Sequence, residues 1–381
     1  MEERARTLRR AFRYLKRGVF PPESIDEFTF GRAAELATVE CHLDDAREGL
    51  TRHIFVEAPY GQGKSHMLKA IEAIALRKGF GVSWVTLDGY SHACNHPTRY
   101  LHSFLENLRV PNSPIRGLAS LVKSWLGGEK SEPVASWIRQ AAPWWFRYHM
   151  EKFQRSLDVT QDVPLLCSWI ESRDIAHRNG KPWFDLADQR MQATGALLRA
   201  AGFSGVVYLF DELETVATLL SSIRQRFLSY EFLNILIDGR KHPHCFVAFA
   251  ATPDFGFKVE LDRLELDRPY VGFRADYPEG CRFINKWHAS SIDLAKLRPL
   301  SKTDLTRLCI RLRGFHEEAF AWSMNGKFSD DFLEVFVAAT VDRNMGIRET
   351  IKAIVNLFEL AEQHPSADLE GALELSEAPS H

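Results

Sequence analysis

The sequence predicts an α/β fold: a parallel sheet of the P-loop type with flanking helices, a helical insert and a C-terminal helical lid. Three observations lead there. A short apolar strand at 53–57 runs into the glycine-rich stretch 58–65 and then into a helix. A second strand at 82–87 follows that helix, completing a βαβ unit and so a parallel sheet. Two further apolar strands, 206–210 and 245–250, are nearly continuous in hydrophobicity and belong in a sheet covered on both faces.

Taken in order, residues 1–50 read as helices with a turn at Gly18, Pro21 and Pro22. After the first strand, Met67, Leu68, Ile71, Ile74 and Ala75 recur at helical spacing. Residues 100–195 interrupt the strand rhythm and carry Trp125, Trp137, Trp144, Trp145, Trp169 and Trp183. Tryptophan is costly to expose, so this insert either builds a small core of its own, the favoured reading, or offers an aromatic contact surface. From Pro299 onward the pattern is helical through Leu360, with Ser301 and Ser329 as N-caps. The expected domains are a helical segment 1–50, a P-loop domain 51–298 with the insert at about 100–195, a lid 299–363 and a flexible tail 364–381.

Composition narrows the function classes. At 381 residues, 45% hydrophobic and 26% charged, the chain is an ordinary globular one with ample material for a core. No run of 18 or more apolar residues suggests a membrane span, and the first residues lack a secretory apolar stretch. Six scattered cysteines with no CxxC pair argue against a zinc site or disulfide framework and for a reducing cytoplasm. His92, Cys94 and His96 are read as loop residues rather than metal ligands. Net charge is −2, so any nucleic-acid contact must be local. Arg4, Arg6, Arg9, Arg10, Arg13, Lys16 and Arg17 form the candidate patch, with a solvated or partner-facing helix as the plainer reading.

Chemistry concentrates in four places. Ala58, Pro59, Tyr60, Gly61, Gln62, Gly63, Lys64 and Ser65 match the P-loop pattern, with alanine in place of the first glycine. A polyphosphate needs several backbone N–H groups turned inward, which glycine permits, and the following helix adds the positive end of its dipole. Lys64 is suited to the β- and γ-phosphates, Ser65 to Mg²⁺, and His66 closes the binding stretch. The strand at 206–210 ends in Asp211 and Glu212, delivering two carboxylates to the sheet's C-terminal edge. Asp211 is expected to hold Mg²⁺ through water and Glu212 to orient or deprotonate the attacking water. Thr252, after the strand at 245–250, either touches the γ-phosphate or attacking water or merely caps the strand or starts the turn at Pro253. Arg348, at the start of a lid helix, either reaches the phosphates or is a plain surface arginine.

Together these motifs resemble the AAA+ ATPases, and among them the ATP-binding proteins of BREX-type bacterial phage-defence systems, the BrxD-like family. The similar stretches are 18–22, Gly31 and Arg32, Lys64 to His66, 205–214, 236–238, 249–254, 297–300, and Arg348 with Glu349. The resemblance implies an AAA+ fold, ATP rather than GTP, and a cytoplasmic protein acting with other defence proteins on DNA or a DNA-bound complex. Contact with DNA is expected through Arg9, Arg10 and Arg13. The family pattern also implies an arginine acting in trans, Arg263 or Arg268, which requires a homo-oligomer. Two rival expectations stand: a nucleotide-gated switch with little turnover, and a DNA-binding ATPase like replication initiators or transposition regulators.

Overall fold

The computed structural model describes residues 2–19, 25–140, 167, 170, 183–238, 242–266, 273–324, 326–364 and 366. Trp144, Trp145, Trp169, Pro21, Pro22, Arg268 and nearly all of the expected tail lie outside the described residues.

The strands are β1 (Thr51–Glu57), β2 (Gly81–Thr86), β3 (Val206–Asp211), β4 (Cys245–Ala251) and β5 (Leu294–Lys296). The described helices are α1 (Glu2–Lys16), α2 (Ala33–Arg47), α3 (Lys64–Arg77), α4 (Pro97–Glu106), α5 (Leu118–Leu126), α6 (Ser131–Gln140), α7 (Phe184–Ala200), α8 (Thr215–Thr218), α9 (Ile223–Ile237), α10 (Pro253–Glu265), α11 (Phe273–Asp276), α12 (Pro278–His288), α13 (Lys302–Phe320), α14 (Asp330–Asp342) and α15 (Ile347–Gln363). The chain forms two compact units: Leu36–Glu57 with Ile71–Lys296, and Met1–Glu35 with Ala58–Ala70 and Leu297–His381. These units cut across the boundaries expected from sequence.

The first unit holds the sheet, in the order β2-β3-β4-β1-β5 with every pairing parallel. Strands β3 and β4 are buried along their whole length, which is why they read as unbroken apolar runs. Phe210, Phe249 and Phe55 stack across β3, β4 and β1 with ring centroids 4.9 and 4.5 Å apart. Among the described residues, the insert shares the sheet's core. Trp125, Leu118 and Phe104 belong to the same apolar cluster as Phe55 and Phe249, and Trp137 packs against it. For these residues the packing is against the sheet: α4 and α7 cover it, and Tyr208 of β3 donates to the Met191 carbonyl at 3.2 Å.

The second unit is helical. Leu8, Ala11, Phe12 and Leu15 form the buried stripe of α1 and share one cluster with Leu312 of α13 and Ile354 and Phe358 of α15. This burial is what joins the N-terminal segment to the lid. Both predicted N-caps are present: the Ser301 hydroxyl accepts from the Asp304 N–H and the Ser329 hydroxyl from the Phe332 N–H, each at 3.1 Å.

Candidate functional site

In the helical unit, the loop 58–63 contains Gly61 and Gly63 at φ of 79° and 92°. Such left-handed glycines turn successive N–H groups toward a common concavity, the geometry that receives an anion. Lys64 opens α3, and its ammonium donates back to the Ala58 carbonyl at 3.3 Å, spanning the loop from its last turn to its first residue. Pro59 and Tyr60 are exposed, while Gln62 and Ser65 are half-buried.

His66 is placed differently from a phosphate-facing side chain. Its ring bonds the Thr29 hydroxyl at 2.9 Å. Burial first, and the nearby Arg32 guanidinium second, push its pKa down to about 3, so the ring is neutral at physiological pH. Arg32 itself donates to the Arg298 carbonyl at 2.8 Å. These bonds tie the start of α3 to Thr29, and the neighbouring Arg32 to the stretch just before the lid's first helix.

Arg348 comes from the lid to the phosphate loop. Its guanidinium donates to the Tyr60 hydroxyl at 3.2 Å and lies 5.4 Å from that ring's centroid. The first turn of α15 is close as a whole: a Cβ built on Gly61 would stand 3.9 Å from the Glu349 carboxylate. The stem of Arg348 is hemmed in by Gly18, where φ is 72° and an added Cβ would meet Arg348 Cγ at 2.9 Å. Sequence reasoning found Gly18 as a turn, but nothing local to it signals the arginine 330 positions away.

In the sheet unit, the parallel arrangement sets the C-terminal ends of β1, β3 and β4 on one edge. Asp211 pairs in register with Thr86, and Glu57 with Ala251. Asp211 is buried, and its carboxylate accepts from the Glu212 N–H at 3.0 Å. Glu212 sits at φ 60°, a left-handed conformation that costs a residue with a Cβ roughly 1–2 kcal/mol. Thr252 is buried and occupies the N-cap position of α10, yet its hydroxyl caps no helix N–H and donates instead to the Asp254 carboxylate at 3.2 Å. Arg263 is 3.4 Å from Glu260, whose carboxylate also meets His288 at 3.1 Å, so it belongs to a small ion cluster on α10 and α12.

Of the cations on α1, Arg9 donates to the Ala319 carbonyl at 2.6 Å, where it satisfies the end of α13. Arg4 pairs with Glu318 and Glu27 at 2.6 and 3.3 Å, Arg6 with Glu2 at 2.6 Å, and Lys16 with Glu359. The basic run read from the sequence is therefore largely engaged within the fold. No described helix is long and apolar enough to cross a membrane.

The family model described as "BREX system ATP-binding protein BrxC/D" matches residues 4–158 and 187–377. A search of the curated proteins gave no match. Among solved structures, the Aeropyrum pernix ORC2 protein (ADPNP-ADP complexes) is similar, with a TM-score of 0.47 and 12% identity, covering 93% of this chain and 69% of that one.

Proposed function

Since the chain belongs to the BREX system ATP-binding protein BrxC/D family, we propose that it is a Mg²⁺-dependent ATPase of the AAA+ class acting in cytoplasmic phage defence. The observation that carries this reading is the loop 58–63, with Gly61 and Gly63 left-handed and Lys64 at the head of a helix. Backbone N–H groups of Tyr60 to His66 bind the phosphates, and Lys64 neutralises the β- and γ-phosphate oxygens. The Ser65 hydroxyl and the Asp211 carboxylate are hard oxygen donors of the kind Mg²⁺ takes, Asp211 through water. The metal supplies charge neutralisation at the phosphoryl oxygens.

Glu212 orients the attacking water and accepts its proton; its left-handed backbone at the end of β3 supports this reading. Thr252 and Arg348 respond to the γ-phosphate, Arg348 from a starting point already on Tyr60. Arg263 is the described candidate for action in trans within a homo-oligomer. The partners are other defence proteins and DNA or a DNA-bound complex, with Arg10 and Arg13 as DNA contacts beside Arg9.

Phosphate release from ATP by the parent, Lys64→Ala and Glu212→Gln, with and without duplex DNA, tests this. Expected is turnover in the parent, lost in both variants while Glu212→Gln still binds ATP. Stimulation by DNA is expected as well. Tight ATP binding with no turnover under any condition would instead make the chain a nucleotide-gated switch.

A further inference from the structure

The first turn of α15 brings two opposite charges to the phosphate loop, and both elements belong to the helical unit. Arg348 bonds the Tyr60 hydroxyl. Glu349, the next residue, reaches Gly61: one of its carboxylate oxygens would stand 3.9 Å from a Cβ built on that glycine. The Glu349 side chain is exposed, and no hydrogen bond or ion pair among the described residues holds it there.

Gly346 makes room for this placement. It occupies the N-cap position of α15 at φ −68° and ψ 166°, a backbone conformation open to any residue. Serine, threonine, aspartate or asparagine would cap the helix better. A Cβ at Gly346, however, would stand 2.5 Å from the same Glu349 oxygen and 4.0 Å from the Gly61 carbonyl oxygen. Space rather than conformation calls for glycine, because the carboxylate fills the gap between α15 and the loop.

An acidic residue in the first turn of a helix ordinarily serves the helix dipole, and Glu349 does so here. That role needs only nearness to the α15 amides. It gives no reason for glycine at the N-cap or for a position against Gly61. A negative charge beside a loop suited to a polyanion has a second effect. It opposes that anion across less than the ~8 Å screening length at physiological salt. The lid's first turn therefore brings no net charge to the loop: what Arg348 adds, Glu349 takes away.

We propose that Glu349 is a specificity-determining residue of the phosphate loop, a counter-charge that holds polyphosphate affinity down and limits the preference for ATP over ADP. This rests on the reading of residues 58–65 as a nucleotide-binding loop. Each added phosphate charge meets the same repulsion, so ATP is penalised more than ADP. Turning the Glu349 side chain toward solvent removes the penalty and leaves Arg348 alone at the loop.

The test is calorimetric titration of the full chain with ATP, ADP and inorganic triphosphate, at low and high salt. The proteins are the parent, Glu349→Gln, Glu349→Lys, Gly346→Ala and Gly346→Ala/Glu349→Gln. ATP affinity is expected to rise about three- to tenfold in Glu349→Gln and to rise again in Glu349→Lys. ADP gains less, so the ATP-to-ADP affinity ratio grows by about twofold at each step. High salt shrinks these gains. Gly346→Ala alters no charge but displaces the carboxylate. It should raise ATP affinity in the parent and change it less than about twofold in the Glu349→Gln background. A helix-capping role alone predicts the opposite sign, with Glu349→Lys weakening ATP binding through a less ordered first turn. ATP affinity that stays level or falls from the parent through Glu349→Gln to Glu349→Lys overturns the proposal and leaves the loop reading standing. Binding of neither ATP nor triphosphate by any of the proteins overturns the loop reading, and the proposal with it.

Discussion

Arg348 of the lid and Tyr60 of the phosphate loop are joined twice, by a hydrogen bond of 3.2 Å to the phenol oxygen and by the guanidinium lying over the ring. An arginine held this way is already beside the loop it is proposed to serve, so binding nucleotide costs less side-chain entropy. The cation–π part of the contact is worth about 0.5–1 kcal/mol at an exposed site. Tyr60→Phe keeps the ring and is expected to change ATP affinity by less than about threefold. Tyr60→Ala loses both contacts and is expected to weaken it by roughly 3- to 10-fold. Titration calorimetry would show this, and a Tyr60→Ala protein with the parent's affinity would remove the tether from the account.

Gly18 supports the same arginine from behind. Gly18→Ala places a Cβ in left-handed backbone and 2.9 Å from Arg348 Cγ, so it is expected to destabilise by about 1–2 kcal/mol. It should also reduce ATP affinity. In an Arg348→Ala background, the affinity cost of Gly18→Ala should vanish while the stability cost keeps its backbone part. A cycle of the four proteins separates the two, and full additivity in affinity would refute the link.

Glu212 bears strain that asparagine bears more cheaply. Glu212→Asn is expected to melt at or above the parent's temperature while phosphate release is lost, because asparagine tolerates the left-handed region. Glu212→Val, β-branched at the same φ, should melt several degrees lower. If both variants melt together, the strain plays no part in stability.

His316 sets an acid limit. The ring is fully buried among Phe12, Phe320, Trp322 and Phe358, and burial lowers its pKa to about 4. Its Nδ1 accepts from the Trp322 indole N–H at 3.0 Å, so protonation there breaks a bond. With the folded pKa below the unfolded value of about 6.5, this stability is fully present above pH 6.5 and is lost as pH falls from 6.5 toward 4. His316→Phe should be less stable at pH 7.5 but show a shallower loss across that window. Urea unfolding at pH 7.5, 6 and 5 measures it, and parallel profiles would be the contrary result.

The two serine caps give an independent check on the lid. Ser301→Ala and Ser329→Ala are each expected to cost about 1 kcal/mol, additively, since they start different helices. Strong non-additivity in urea melts would mean α13 and α14 do not unfold as expected from their ends.

Much of this fold is legible in the sequence. The buried strands announced themselves because β3 and β4 are covered on both faces, and the caps because Ser301 and Ser329 use local bonds only three residues long. The P-loop's left-handed glycines are likewise a local matter. What sequence could not supply was long-range. The insert's tryptophans gave no sign that Trp125 would join the sheet's own core. Arg9 looked like a ligand-facing cation, whereas its donor is used by the Ala319 carbonyl. Each of these depends on a partner that pattern and propensity do not encode.

The strand order has a consequence during synthesis. β1 finds its first sheet partner only in β4, where Thr51 lies opposite Cys245, and β5 comes later still. At roughly 5–20 residues per second, a ribosome would need about 10–40 s between making one strand and the other. For that interval the strand leading into the phosphate loop has its amides unpaired and Ile54, Phe55 and Val56 uncovered. Nascent chains stalled before β4 should therefore be the ones that chaperones hold longest.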